Sequence, residues 1–119
     1  MTERPTHPEL VAALQKSGEA ILATLTPTQA DVVHMALGTC SEAGELADAI
    51  KRWAIYGKDL DRANVVEELG DLEFYLEGIR RKLGVTREET LEANIDKLSV
   101  RYTGLQYSDR AAIERADKA

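Results

Sequence analysis

Apolar residues recur along this chain at the three- and four-residue steps of helices, and no run shows the two-residue alternation of a strand. Leu10, Leu14, Ile21 and Leu25 form one stripe, which predicts a first helix over about residues 8–24. Thr26, Pro27 and Gln29 then supply an N-cap, a proline at the first helical position and a capping-box partner. A second helix therefore starts there, runs to about Ile55 and stops near Gly57. Val65, Leu69, Leu72, Leu76, Ile79 and Leu83 repeat in steps of four and three, the spacing of a bundle seam. They belong to a third helix that begins near Asp61 and is capped by Gly84. Thr86 and Glu89 make a second capping box, opening a fourth helix that turns Leu91, Ile95 and Leu98 inward and ends near Arg101. Thr103-Gly104 breaks that helix, and Ser108 caps a short charged terminal one. The expected fold is all-α: an antiparallel helical bundle of about four main helices plus a short C-terminal helix, joined by short loops.

Length and charge narrow the picture. At 119 residues the chain reads as a single domain, 1–119, with residues 1–7 and about 104–119 as tails. The 15 Lys+Arg against 21 Asp+Glu leave a formal charge of −6, which argues against nucleic acid as a partner, since that needs a basic face. The first residues carry no apolar signal core, and no run approaches the roughly 18 apolar residues of a membrane span. The expectation is a soluble, cytoplasmic protein with no membrane partner. Cys40, the single cysteine, sits among apolar residues and reads as a buried, reduced thiol.

Candidate chemistry lies in two acidic turns, Glu42-Ala43-Gly44-Glu45 and Glu68-Leu69-Gly70-Asp71. Carboxylates three positions apart share one side of a helix, so two such helices packed face to face converge four of them. Four converging carboxylates repel unless cations sit between them, and a partly hydrated, oxygen-rich site of this kind suits Mg²⁺. A charge-rich turn alone is ordinarily a solvated face. Position argues otherwise here: Glu68 and Asp71 adjoin the seam residues Leu69 and Leu72, and Glu42 and Glu45 bracket Ala43 and Gly44, small enough for close helix approach.

These residues resemble the MazG-type all-α nucleoside triphosphate pyrophosphohydrolases, relatives of the dimeric dUTPases and dCTP pyrophosphatases. The family pattern E-x-x-E, spacer, E-x-x-D is matched by Glu42, Glu45, Glu68 and Asp71. The stretch Leu37 to Asp48 looks like the family's second-helix signature. Tyr56-Gly57-Lys58, Glu67 to Asp71, Asn94 to Leu98 and Arg101-Tyr102 follow in the order seen in small stand-alone and phage-type members, so the resemblance covers roughly residues 30 to 115. One departure stands out: many members carry a further glutamate where this chain has Ser41, and that carboxylate's role is not carried over.

The resemblance implies hydrolysis of a (deoxy)nucleoside triphosphate between the α and β phosphates, giving the monophosphate and pyrophosphate. It makes Glu42, Glu45, Glu68 and Asp71 catalytic residues and metal ligands, for Mg²⁺ with Mn²⁺ able to substitute. The chemistry fits the residue types, because metal ions neutralise phosphate charge and lower the pKa of a bound water. Which of the four acids accepts the water's proton stays open. Asn94, Lys97 and Arg101 fall on one face of the fourth helix, where the cations can bind the β and γ phosphates and Asn94 the sugar or base. Lys58 is a further phosphate candidate, and Tyr75 and His34 are candidates for the nucleoside pocket, although core packing suits both. Apolar stripes on nearly every helix, Trp53 and Ile55 at a helix end, and the resemblance together point to a homodimer or a dimer of dimers. Two other readings compete: a narrow dUTP or dCTP pyrophosphatase on the same scaffold, and a noncatalytic helical interaction module.

Overall fold

The computed structural model describes residues 3–118. Among them the chain is helical and contains no strand: α1 (His7–Leu14), α2 (Gly18–Thr24), α3 (Pro27–Ala54), α4 (Arg62–Leu83), α5 (Arg87–Arg101) and α6 (Asp109–Glu114). Single 3₁₀ turns stand at Thr103–Leu105 and Ala116–Lys118. The all-α architecture is the one the apolar spacing predicts.

Local chemistry sets the boundaries. At the start of α3, the Thr26 hydroxyl accepts from the Gln29 N–H at 3.1 Å and the Gln29 side chain accepts from the Thr26 N–H at 2.8 Å, which completes the capping box. Asp61 caps α4 by accepting from the Asn64 N–H. Gly84, at φ 70°, ends it: the Gly84 and Val85 N–H groups turn back onto the carbonyls of Arg81 and Arg80. Thr86 and Ser108 cap α5 and α6 through the N–H groups of Glu89 and Ala111.

The first predicted helix is in fact two. Ser17 accepts from the Ala20 N–H at 3.0 Å and so starts a new helix, and Gln15 before it is extended. A serine side chain bonding its own backbone, followed by a glycine, outweighs the continuity of the apolar stripe.

Helix packing centres on the antiparallel hairpin α3–α4, and its register can be followed layer by layer. Asp31 on α3 pairs with Lys82 on α4 at 3.1 Å. Met35 then packs on Gly78, Gly38 lies beneath the ring of Tyr75, Glu42 meets Asp71 and Glu68, and Glu45 follows beside Glu68. Each step of three or four residues up α3 is matched by the same step down α4, a heptad-like seam. The small residues that permit close approach are Gly38 and Gly78, where an added Cβ would overlap Tyr75 and Met35. Gly44, expected to serve that purpose, has no neighbour within 4 Å of an added Cβ.

The facing positions on α4 (Asn64, Glu68, Asp71, Tyr75, Gly78, Lys82) each precede by one residue the apolar seam read from the sequence. That apolar stripe therefore flanks the contact line, and Leu69 and Leu83 on it are exposed. Among the described residues only Ala49 is buried, and Cys40, expected inside, is exposed. The radius of gyration is 20.5 Å, against about 13.5 Å for a compact domain of this length. Helix α5 packs on the C-terminal turns and α6, and its apolar residues Leu91, Ile95 and Leu98 are exposed. Full burial of one such side chain contributes about 1.5–3 kcal/mol, so the chain by itself leaves much of its apolar stabilisation unrealised.

Candidate active site

The hairpin register brings three acids together. Glu42 from α3 and Glu68 and Asp71 from α4 each place a carboxylate oxygen within 4.8 Å of the others. Glu42 and Glu68 are half-buried, and Asp71 is exposed. Glu68 Oε2 is shut away from solvent with no hydrogen-bond partner. Burial first, then the adjacent Glu42 carboxyl, which a protonated Glu68 can hydrogen-bond, and the charges of Glu42, Asp71 and Glu45 raise the Glu68 carboxyl above its ordinary range. With both carboxyls ionised no donor lies between Glu42 and Glu68, so the cluster needs positive charge, as a proton or as a cation. Glu45, one turn beyond Glu42, is exposed and feels Glu68 through its charge while standing outside the trio.

The remaining candidates fall in separate places. One layer above the acids, the Tyr75 ring lies on Gly38, edge-on to Phe74 and with the His34 ring 6.5 Å away. Tyr75 is half-buried; His34 is exposed rather than the interior histidine its helix position suggested. One layer below the acids, Asp48, Ala49 and Asn64 begin a cavity of about 590 Å³ that Lys58 also lines. Asn94 and Lys97 are exposed on α5. Arg101 is not free. Its Nε and Nη2 donate to the two oxygens of Asp117 at 2.7 and 3.2 Å, and the side chains are 15% and 4% exposed. Hydrogen bonding from Arg101 holds the Asp117 carboxyl below its ordinary range. The contact spans 16 residues, and no local motif announces it.

Two further participants escaped the sequence reading. Gly38 supports Tyr75, and a glycine inside a long helical pattern is itself a signal of close packing. Asn64 shares the facing line with Glu68 one turn away; only the register, not its residue type, reveals it.

Residues 31–105 match the family model of the MazG nucleotide pyrophosphohydrolase domain. The chain belongs to the MazG family. Comparison with curated proteins and with solved structures gives no match. The MazG match runs from the start of the seam on α3 through α5 to the 3₁₀ turn at Leu105, and so contains all four acids. Membership makes the chain a nucleotide pyrophosphohydrolase domain, a hydrolase whose family uses divalent metal. The MazG acids fit such an ion: the donors are hard carboxylate oxygens from two helices, and Glu68 Oε2 is a buried acceptor with nothing to accept from. No described helix is long and apolar enough to cross a membrane.

Proposed function

We propose that this chain hydrolyses (deoxy)nucleoside triphosphates between the α and β phosphates, releasing nucleoside monophosphate and pyrophosphate, with Mg²⁺ or Mn²⁺. The observation that carries the reading is the orphaned oxygen of Glu68 inside the Glu42, Glu68, Asp71 cluster of a MazG domain. Glu42, Glu68 and Asp71 would hold the metal, with Glu45 completing the charge around it. When bound, a hard divalent ion supplies positive charge against the triphosphate and acidifies water nearby.

Glu45 is the acid best placed to take the proton of the attacking water, because it is exposed and outside the trio. Attack forms a bond from the water oxygen to the α-phosphorus and breaks the bond from that phosphorus to the bridging oxygen. Pyrophosphate leaves with the electron pair, and the water's proton rests on Glu45. Tyr75, held against Gly38, and His34 beside it would border the nucleoside. Asn94 and Lys97 would reach the nucleotide from α5, Lys97 having no carboxylate partner among the described residues. Arg101 could join them only by releasing Asp117.

A homodimer or dimer of dimers fits this reading, because the apolar faces flanking the hairpin and along α5 are open in the single protomer. With its acidic balance and free-nucleotide substrate, we place the enzyme in the cytoplasm. The deciding measurement is product analysis by ³¹P NMR with each common dNTP and NTP and Mg²⁺. Monophosphate plus pyrophosphate is expected. Diphosphate plus orthophosphate, or no divalent-dependent turnover of any nucleotide, would refute the reaction.

A further inference from the structure

Helices α1 and α2 carry apolar side chains that their own chain leaves open. Leu10, Val11, Leu14, Ile21, Leu22 and Leu25 are all exposed, from 36% at Leu25 to 75% at Leu14. The helix pairings of the chain are α3 with α4, and α5 with α6 and the C-terminal turns; among the described residues neither α1 nor α2 packs along another helix. The arm they form precedes residues 31–105, the part that matches the MazG domain. The joint to α3 keeps the arm apart from its own hairpin. Leu25 gives its N–H to the Ile21 carbonyl at 3.0 Å, and Thr26 exchanges hydrogen bonds with Gln29. Only the φ and ψ of Leu25 then remain between the two helices, and its extended values do not bring α2 alongside the hairpin.

The surface area shows how much cover is missing. The chain exposes 9911 Å², whereas a compact protein of 13.1 kDa exposes about 6,400 Å². The excess, about 3,500 Å², is roughly four times the ~800 Å² that each partner gives to a standard interface. An exchanged arm removes surface twice per chain, once where it is covered and once where it covers.

Length settles the receiving face. Helices α1 (8 residues) and α2 (7 residues) together supply about 22 Å of helix. On α4 the apolar stripe from Val65 to Leu83 runs about 27 Å, with Leu69 and Leu83 exposed and the residues between them half-buried at Leu72, Leu76 and Ile79. The stripe on α5, from Leu91 to Leu98, runs only about 10 Å and is too short for both helices. Arm and α4 stripe are carried by the same chain and both are open, so two copies related by a two-fold axis satisfy both arms and both stripes at once.

We propose that α1 and α2 form an exchange arm, which lies along the α4 stripe of a second copy of this chain while that copy's arm lies along the first. The inference rests on the self-association proposed above and is independent of the reaction.

The test uses full chains with two double variants: Leu10→Glu with Ile21→Glu on the arm, and Leu69→Lys with Leu83→Lys on the stripe, all replacements that keep helix propensity. In sedimentation equilibrium each double variant alone should self-associate at least tenfold more weakly than wild type. An equimolar mixture should form a heterodimer at least tenfold tighter than either variant alone, because an intact arm meets an intact stripe and the Glu arm meets the Lys stripe. Should a variant lose helix on dissociating, mixing must regain the helical circular dichroism by the same route. Self-association within twofold of wild type in either variant, or a mixture no tighter than its components, would overturn the exchange; a wild-type dimer beside that result leaves self-association standing without the arm. Wild-type chains that stay monomeric at micromolar concentration would overturn both.

Discussion

Arg101 and Asp117 form a two-pronged ion pair that joins the end of α5 to the last turn of the described chain, with the carboxylate almost fully enclosed. Removing one partner leaves the other charged and unpaired in that enclosure. Asp117→Asn and Arg101→Ala should each lower the Tm, and the double variant should lose little more than either alone. The pH dependence has a definite sign. Because Asp117 titrates below its ordinary range when folded, the pair's contribution is fully present above about pH 4 and is lost as pH falls through the lower, folded value. Thermal melts of wild type and Asp117→Asn should therefore converge in acid. A Tm gap that widens as pH falls would contradict the pairing.

Glu42→Gln, Glu45→Gln, Glu68→Gln and Asp71→Asn should each reduce kcat by about a hundredfold or more with helical circular dichroism intact, on the scale of a lost catalytic group or ligand. Lys97→Ala should instead raise KM about tenfold and leave Mn²⁺ affinity unchanged, as expected for one charge-assisted contact. Full activity in any two of the acid variants would refute the site.

Metal-free protein carries a strain that Glu68→Gln should relieve. The raised Glu68 carboxyl remains neutral at low pH at no cost to the fold, and its ionisation destabilises the folded state as pH rises from the ordinary glutamate range through the folded value. The stability advantage of Glu68→Gln over wild type should grow across that window and be absent below it. Added Mn²⁺ should reverse the order. Melts in chelator and in Mn²⁺ measure both.

Gly38→Ala and Gly78→Ala place a methyl group into Tyr75 and Met35. Overpacking of this kind costs about 1–3 kcal/mol, despite the better helix propensity of alanine. Denaturant unfolding should show the loss for both variants.

Solution mass should be at least twice that of the 13.1 kDa chain at micromolar concentration, measured by light scattering. An active monomer would refute the assembly.

Helix identity and most boundaries were legible because capping is local chemistry: Thr26, Asp61, Gly84, Thr86 and Ser108 act on backbone groups three or four residues away. The carboxylate spacing anticipated four converging acids, and the fold brings three of them together, Glu42, Glu68 and Asp71, with Glu45 outside the trio. What sequence could not give was rotation. A 4-3 apolar repeat marks a stripe without saying which neighbour covers it, and here α3 lies against the residues just before that stripe. The same limit explains Cys40, His34 and Gly44, whose positions on α3 were right while their surroundings were not. Asp117 was invisible for another reason, since its partner is distant in the chain.

The contacts of Gly38 with Tyr75 and of Gly78 with Met35 act as a ruler. One residue inserted between Asp71 and Tyr75 would rotate both α4 acids by about 100° relative to those contacts, swinging them away from Glu42. An insertion of the same size in the segment between α3 and α4 would rotate nothing, because the seam re-forms on its own side-chain contacts whatever loop closes it. Tolerance to length change is thus divided sharply within a few tens of residues: intolerant between the acids and the glycine contacts, permissive at the turn. Lys58, on that permissive turn, is a phosphate candidate whose placement a longer or shorter loop would retune without disturbing the acids.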